Sequence, residues 1–304
     1  MIIFNNLPNK INKRTRRSVV AIGNFDGLHL GHKKVLRQAK IKAKKNNLDL
    51  GVVTFEPVPV MFFNKNIKNH RINNFNQKIE ELKKLKVDFI NIIKFNKKFS
   101  NLKPEEFIKK ILVKKIKAKF IFISKNFKFG KNRKGNIETL KNNEALYSYK
   151  SIVAEPLKKN NKILSSTIIR NKISKGEINE ANKCLGRLWS IEGKVISGSK
   201  RGRKIGFRTC NINLKNYIMP QLGVYAVNIL LGKKFKKGIA NIGFRPTFKG
   251  KKLLLEVNIF GLKENLYKKT IKVSFIKFIR KEKKFKNINE LKIQIKKDIK
   301  LAKK

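Results

Sequence analysis

Two of the three histidines, His29 and His32, lie three residues apart at the end of a glycine-rich run, GNFDGLHLGH, that begins at Gly23. A short apolar segment precedes this run and a helical pattern follows it, so the histidines stand where a strand ends and a helix begins. Backbone N–H groups at a helix start favour phosphate, and two imidazoles there could donate hydrogen bonds to phosphate oxygens. The spacing alone also suits two surface histidines in a turn, but the full setting favours a phosphate site.

Three consecutive hydroxyl residues, Ser165, Ser166 and Thr167, precede a second apolar helical pattern that includes Arg170. These hydroxyls could cap the helix N-terminus, and Arg170 would lie near the same end. In isolation the run is typical of an ordinary N-cap with a surface arginine. Together with the two histidines it predicts a site for nucleotide transfer, a reaction that needs positioning and charge stabilisation more than covalent help.

A second glycine-rich stretch, which also carries many cations, could form another anion site. Gly198, Gly202 and Gly206 permit a close approach of the backbone to phosphate. Thr209 and Asn211 alternate on a predicted strand, so both side chains should face the same way, and their oxygens suit Mg²⁺. The chain contains no GxxxxGK[ST] loop, and the glycines alone favour a basic hairpin turn.

One carboxylate, Glu256, stands in the otherwise apolar run 253–260. A strand glutamate is often an outward-facing, solvated residue. Because the chain has only 19 acidic residues, a carboxylate in such a run is also a candidate base for a substrate hydroxyl. The sequence at residues 241–247 predicts a nearby loop that contains one arginine, Arg245.

The arrangement of the elements predicts two domains, residues 1–185 and 186–304. In the first, strands alternate with helices, which indicates an α/β domain with a parallel sheet. In the second, short strands separated by Gly-rich or Lys-rich turns indicate an antiparallel barrel or sandwich, and a helix from residue 289 closes it. The predicted strands cover residues 18–22, 50–55, 89–95, 119–124, 188–196, 223–231, 238–242, 253–260 and 270–278.

The motif GNFDGLHLGH with SSTIIR resembles the HxGH nucleotidylyltransferase superfamily and, more narrowly, the bifunctional bacterial riboflavin kinase/FAD synthetase family. TFEP at 54–57 and NFKFG at 126–130 also match its adenylyltransferase half. The resemblance implies a Rossmann-like FMN adenylyltransferase domain in which His29, His32 and Arg170 stabilise the transition state. The implied ATP-binding and phosphate-binding residues of this half are Gly23, Asn24, Phe25, Asp26, Gly31, Ser165, Ser166 and Thr167.

The second half resembles the riboflavin kinase part of the same family, in the same order along the chain. The resemblance implies an antiparallel β-barrel with a closing helix, in which Thr209 and Asn211 bind Mg·ATP and Glu256 deprotonates the ribityl hydroxyl. Gly198, Gly202, Gly206 and Thr209 are the implied ATP-binding residues of this half. Phe285, Leu291, Ile295 and Asp298 fit the region of the closing helix.

Several residues depart from the family pattern: Val58 replaces a histidine, Asn126 replaces an aspartate, and the family's PTAN reads RTCN at 208–211, with Arg208 in place of the proline. The change at Arg208 is the most serious, because proline fixes its own φ and restricts its neighbour. Arginine frees the backbone and adds a charge beside the phosphates, which could also supply another phosphate contact. The kinase could therefore be weakened, and an enzyme with only an active FMN adenylyltransferase half is one alternative.

The charge balance suggests another alternative, because 75 Lys+Arg against 19 Asp+Glu give a net charge of +56. Such a balance is typical of nucleic-acid binding. However, the 62 lysines greatly outnumber the 13 arginines and are spread along the whole chain, whereas a nucleic-acid surface should favour arginine. This pattern favours A/T-rich codon usage and nonspecific polyanion binding over a polybasic nucleic-acid-binding protein on an enzyme scaffold.

The cysteine count and the lengths of the apolar runs limit the cellular compartments and membrane topologies that fit this sequence. Two cysteines without a CxxC motif exclude a disulfide framework and a Cys-rich metal site. No run approaches the roughly 20 apolar residues of a membrane helix, and the start does not read as a secretory signal. With the resemblance, these features predict a cytoplasmic monomer that uses ATP, riboflavin and FMN, requires Mg²⁺ and releases FMN and FAD.

Overall fold

The computed structural model describes residues 1–5, 17–67, 69–159, 162–196, 206–214, 216–232, 234–247, 250–262 and 264–303. The chain forms two compact units. The first contains Met1–Lys68 and Phe75–Ser165, and the second contains Asn69–Asn74 and Ser166–Lys304. A short piece of the first half of the chain therefore belongs to the second unit.

The first unit is built on a six-stranded parallel sheet in the order β1-β4-β3-β2-β5-β6. Its strands are β1 (Ile2–Asn5), β2 (Ser18–Ile22), β3 (Leu50–Glu56), β4 (Phe89–Lys94), β5 (Ala118–Ile123) and β6 (Lys150–Val153). A two-stranded hairpin, β7 (Lys158–Lys159) and β8 (Lys162–Ile163), follows it. From β2 the chain adds β3 and β4 on one side and then β5 and β6 on the other, so the topology reverses between β2 and β5.

Alternating side chains of the parallel strands enter two apolar layers, one on each face. Val20 and Val53 belong to one layer and Val19 and Val52 to the other, as expected for a sheet covered by helices on both faces. The helices of this unit are α1 (Leu30–Lys45), α2 (Pro59–Phe63), α3 (Phe75–Lys84), α4 (Lys97–Ser100), α5 (Pro104–Glu106), α6 (Ile137–Asn142) and α7 (Glu144–Tyr147). A π-helix, Phe107–Lys115, continues α5, and a short 3₁₀ helix spans Lys131–Arg133.

The second unit begins with α8 (Ser166–Ser174) and α9 (Ile178–Leu185) and continues as a closed antiparallel barrel in the order β10-β13-β12-β11-β14-β9. Its strands are β9 (Ser190–Ile196), β10 (Cys210–Asn213), β11 (Gly223–Leu231), β12 (Lys234–Thr247), β13 (Gly250–Ile259) and β14 (Thr270–Arg280). Trp189 and Phe275 pack at a ring-centroid distance of 4.6 Å in its core.

The C-terminal helix α10 (Ile288–Lys303) is tied to the barrel by a buried ion pair. Arg280 donates through Nε and Nη2 to both carboxylate oxygens of Asp298, over 2.7–3.0 Å. Gln294 adds a hydrogen bond of 2.8 Å to Asp298 Oδ1. Such a pair satisfies the carboxylate that the helix buries.

The expected fold class is confirmed: a Rossmann-like parallel sheet with helices precedes an antiparallel barrel with a closing helix. The loop expected over 241–247 is wrong, because β12 runs unbroken from Lys234 to Thr247, paired with β13. Arg245 and Pro246 lie near the end of this strand. Among the described helices, none is long and apolar enough to cross a membrane. The division at residue 185 stays a prediction about function; the compact units themselves divide after Ser165.

Candidate functional sites

The GNFDG loop leaves the carboxyl end of β2, at the point where the sheet topology reverses. Gly23 N donates to the Val53 carbonyl of β3 at 3.1 Å. The Thr54 hydroxyl donates to the Asn24 carbonyl at 3.2 Å. In open α/β sheets, ligands bind in the crevice at such a reversal, so the loop stands where a nucleotide is expected.

The loop turns sharply through residues in the left-handed region of backbone space. Phe25 (φ 48°), Gly27 (φ 78°) and Leu28 (φ 38°) all have positive φ. Phe25, Asp26 and Leu28 are nevertheless buried, at 3%, 4% and 1% exposure. Non-glycine residues in this region cost free energy and persist only where their surroundings hold them, often at functional sites.

The two histidines meet at the start of α1. His29 is the N-cap of this helix and accepts a hydrogen bond through Nδ1 from the backbone N of His32, at 3.3 Å. The two rings stack with centroids 3.7 Å apart, and Phe25 packs edge-on against His32 at 5.3 Å. Since Nδ1 of His29 is an acceptor, a neutral ring carries its proton on Nε2 and can donate from there.

Gly31 allows the chain to pass close to the His29 ring. A Cβ at residue 31 would lie 3.0 Å from Cε1 and 3.1 Å from Nδ1 of His29, and 3.3 Å from the Leu164 carbonyl. A side chain at residue 31 would therefore require the capping ring or the chain before Ser165 to shift by a few tenths of an ångström. This close contact explains why the HxGH pattern has a glycine directly before its second histidine.

The SSTIIR residues lie at the division between the two units. Ser165 is the last residue of the first unit, and α8 begins at Ser166 in the second, with Thr167 in its first turn. Arg170 donates through Nε to the His70 carbonyl at 2.9 Å. The phosphate-holding roles of these residues stay predictions.

Sequence reasoning missed a buried cation beside the loop. Lys78 of α3 is only 2% exposed, and its Nζ donates to the Thr54 hydroxyl at 3.3 Å. The Thr54 hydroxyl also donates to the Asn24 carbonyl, so Lys78 is linked to the GNFDG loop through Thr54. The signal was weak, because Lys78 is one of 62 lysines in the chain.

An aromatic cluster at the carboxyl ends of β3 and β4 was also missed. Phe95 makes edge-to-face contacts with Phe62, Phe63 and Phe99, with ring centroids 5.3–5.6 Å apart. Phe63 is 68% exposed. This cluster offers an apolar, aromatic surface to a planar ligand.

In the second unit, three polar residues form a row across neighbouring barrel strands. Glu256 of β13 is paired with Asn211 of β10 on one side and with Asn241 of β12 on the other. Directly paired residues point to the same face of a sheet. The neighbouring residues Leu255 and Val257 are buried in the barrel, so the row lies on the outer face.

The row fits a magnesium site. Asn211 is 7% exposed, and its Oδ1 is buried without a hydrogen-bond partner within the described part of the chain. A buried amide oxygen left unpaired is costly unless a cation or water meets it. Thr209 lies just before β10 and is exposed while Asn211 is buried, so the common orientation expected for the two side chains stays a prediction.

A hydrogen bond holds the backbone at Arg208, the residue that replaces the proline of the family pattern. Asn258 Nδ2 donates to the Arg208 carbonyl at 2.6 Å, two residues before β10 begins at Cys210. Gly206 has φ 88°, which favours glycine. Gly198 and Gly202 lie outside the described residues.

Comparison with known proteins places both halves in one family. A family described as FAD synthetase matches residues 11–168, and one described as riboflavin kinase matches residues 185–304. A bifunctional riboflavin kinase/FMN adenylyltransferase of Buchnera aphidicola subsp. Schizaphis graminum is 44% identical, over 97% of this chain and 96% of that protein. The enzyme of the same name from Escherichia coli K12 is 35% identical, over 92% and 90%.

A solved structure named as a macrolide-efflux protein from Streptococcus pneumoniae covers 100% of this chain and 99% of its own, at 30% identity and a TM-score of 0.88. That likeness shows a shared fold over the full length. The chain belongs to the bifunctional riboflavin kinase/FMN adenylyltransferase family.

Proposed function

We propose that this chain makes FMN from riboflavin and ATP, releasing ADP, and then FAD from FMN and a second ATP, releasing diphosphate. Each reaction has its own residues: the stacked histidines at the start of α1 and the Asn211–Glu256 pair of the barrel. The observation that carries the proposal is that both motif sets occur in one chain in the family order, with the paired histidines on the first compact unit and the Asn211–Glu256 pair on the second.

The kinase step is assigned to residues 186–304. The Glu256 carboxylate takes the proton of the riboflavin 5′-hydroxyl, the oxygen bonds to the γ-phosphorus of ATP, and ADP leaves. Thr209 and Asn211 would hold Mg²⁺, which would neutralise charge on the phosphates. The unpaired, buried Oδ1 of Asn211 supports this assignment, and Gly198, Gly202 and Gly206 would admit the phosphates to the backbone.

The adenylyl transfer step is assigned to residues 1–185. A phosphate oxygen of FMN bonds to the α-phosphorus of ATP, and diphosphate leaves. His29, His32 and Arg170 stabilise the negative charge that develops. Gly23, Asn24, Phe25, Asp26, Gly31, Ser165, Ser166 and Thr167 line the ATP phosphates. The exposed Phe63 and its aromatic neighbours are our candidates for stacking on the isoalloxazine ring of FMN.

We further infer a cytoplasmic, monomeric enzyme whose positive charge causes only nonspecific adhesion to polyanions. That adhesion should weaken steeply as salt rises. Nucleic acid bound with the same strength regardless of salt would contradict this part of the proposal.

The test is a chromatographic assay of purified protein with Mg²⁺, ATP and either riboflavin or FMN, at salt high enough to remove bound nucleic acid. We expect FMN and FAD from riboflavin, and FAD from FMN. FAD from FMN alone would mean that the Arg208 segment has lost the kinase. Turnover of neither flavin would overturn the proposal and favour the nucleic-acid-binding alternative.

A further inference from the structure

The segment Asn69–Asn74 lies early in the chain but is built into the second compact unit. Ile72 is fully buried, and Asn73 and Arg71 are 5% and 9% exposed. A six-residue piece with such burial has fixed neighbours on several sides. We call it the 69–74 segment.

Its backbone is paired with the stretch that follows β10. His70 N and Arg71 N both donate to the Asn216 carbonyl, at 3.1 and 2.8 Å, and Ile218 N donates to the Arg71 carbonyl at 2.7 Å. Arg71 and Tyr217 form a parallel bridge. The segment therefore acts as a short extra strand beside the barrel.

Two side chains from the start of the barrel hold its far end. The indole Nε1 of Trp189 donates to the Ile72 carbonyl at 2.9 Å, and Arg187 Nη2 donates to Asn73 Oδ1 at 2.9 Å. Trp189 is 1% exposed. Both donors lie within the stretch that matches riboflavin kinase, residues 185–304.

At the other end of the 69–74 segment, the backbone of His70 is hydrogen-bonded to Arg170. The His70 carbonyl accepts the Nε–H of Arg170 at 2.9 Å. The guanidinium is planar and rigid, so a hydrogen bond at Nε fixes the direction of its remaining donors. Because the same segment is anchored by Trp189, the orientation of Arg170 depends on the barrel.

We propose that Trp189, with Arg187, is a positioning residue for adenylyl transfer: it orders Arg170 through the 69–74 segment although it belongs to the kinase half. The proposal rests on the proposed role of Arg170 in FAD synthesis. It predicts that adenylyl transfer requires the kinase half for the geometry of one arginine, whereas phosphorylation of riboflavin does not require Arg170.

The test replaces Trp189 by Phe in the full-length chain, which removes the indole donor and keeps an aromatic ring. FAD formation from FMN should fall about tenfold, mainly through a lower kcat, because Arg170 is proposed to act on charge that develops in the transition state and small displacements of such groups have large kinetic effects. The riboflavin kinase rate should stay within about twofold of the wild type. Ile229→Ala, a substitution at a buried position of β11, which pairs with β12 and β14, controls for general loss of stability.

The decisive readout is a double-mutant cycle with Arg170→Ala. If Trp189 acts through Arg170, Trp189→Phe should cause little further loss once Arg170 is gone. Additive losses, or an equal loss of FAD formation in Ile229→Ala, would overturn the proposal. If Trp189→Phe does not fold, Arg187→Met, which removes the donor to Asn73, replaces it in the same cycle.

Failure of this inference is distinguishable from failure of the proposed function. A wild-type chain that makes no FAD from FMN contradicts the proposed function itself. A wild-type chain that makes FAD and loses it on Arg170→Ala, beside an unimpaired Trp189→Phe, contradicts only the role of Trp189.

Discussion

The two units build their candidate sites in different ways. In the first, the site forms from the backbone at the end of a buried parallel strand, where His29 both caps a helix and stacks on His32. In the second, the site forms from side chains on the outer face of a barrel, where Asn211, Glu256 and Asn241 stand side by side. Close packing fixes the geometry of the first site, and strand register fixes the geometry of the second.

This contrast predicts different sensitivities. A site made by packing should respond to the addition of one methyl group near it. A site made by register should tolerate small changes nearby but depend strongly on the single chemical group at its centre.

The largest expected effect is that of Glu256→Gln. The amide keeps the shape and the strand but cannot accept the proton of riboflavin, so FMN formation should fall by about 10²–10⁴-fold. FAD formation from supplied FMN should be unchanged. Steady-state rates of both reactions, measured by chromatography, check this; a kinase rate within about tenfold of the wild type would remove Glu256 from the proposed mechanism.

His29→Ala should lower FAD formation by about 10²–10³-fold, because a donor aimed at developing phosphate charge is lost. The cap of α1 is lost as well, at about 1 kcal/mol. His29→Asn, which can still cap the helix, separates the two effects. Recovery of full activity in His29→Asn would show that His29 serves only as a cap.

Gly31→Ala tests packing directly. Its Cβ would stand 3.0 Å from the His29 ring, so the ring must move, and we expect about a tenfold loss of FAD formation. The riboflavin kinase rate should not change. The matched control is Gly206→Ala, whose Cβ would meet no atom within 4 Å in the described part of the chain, although its φ of 88° adds strain; it should spare FAD formation.

Asp298→Ala should destabilise the second unit more than the first. It leaves Arg280, whose side chain is 16% exposed, without its carboxylate, at a cost of about 3 kcal/mol. The control is Lys183→Ala, which breaks the exposed pair with Glu180 and should cost less than about 1 kcal/mol. Thermal unfolding of both variants measures the difference; equal shifts would contradict the structural role of Asp298.

The smallest effect is expected at Cys210. Burial raises the pKa of this thiol to about 11, so it stays protonated and unreactive below about pH 10. Alkylation at pH 8, located by mass spectrometry, should leave Cys210 unmodified in the folded protein. Rapid labelling there would show that the start of β10 opens.

Much of the fold could be predicted because the motifs and the periodicity agree. The buried strand before GNFDG, the helix from Leu30 and the strand Gly223–Leu231 all follow from short apolar runs bounded by glycine or polar residues. The loop predicted at 241–247 was wrong, because local composition does not show that the strand paired with β13 continues to Thr247.

The candidate sites were predicted less completely, and the missing parts are contacts between distant segments. The pairing of Asn241 with Glu256 depends on register, which local composition does not fix. Lys78 and the 69–74 segment act through hydrogen bonds to residues far along the chain. A single sequence carries no local signal for such contacts.

The most direct test of two separate sites is a mixing experiment with His29→Ala and Glu256→Gln, supplied with riboflavin, ATP and Mg²⁺. The first variant alone should stop at FMN, and the second alone should leave riboflavin unchanged. An equimolar mixture should make FAD, because FMN released by one variant is used by the other. If either folded variant loses both activities, or if the mixture makes FMN but no FAD, the two sites are not independent.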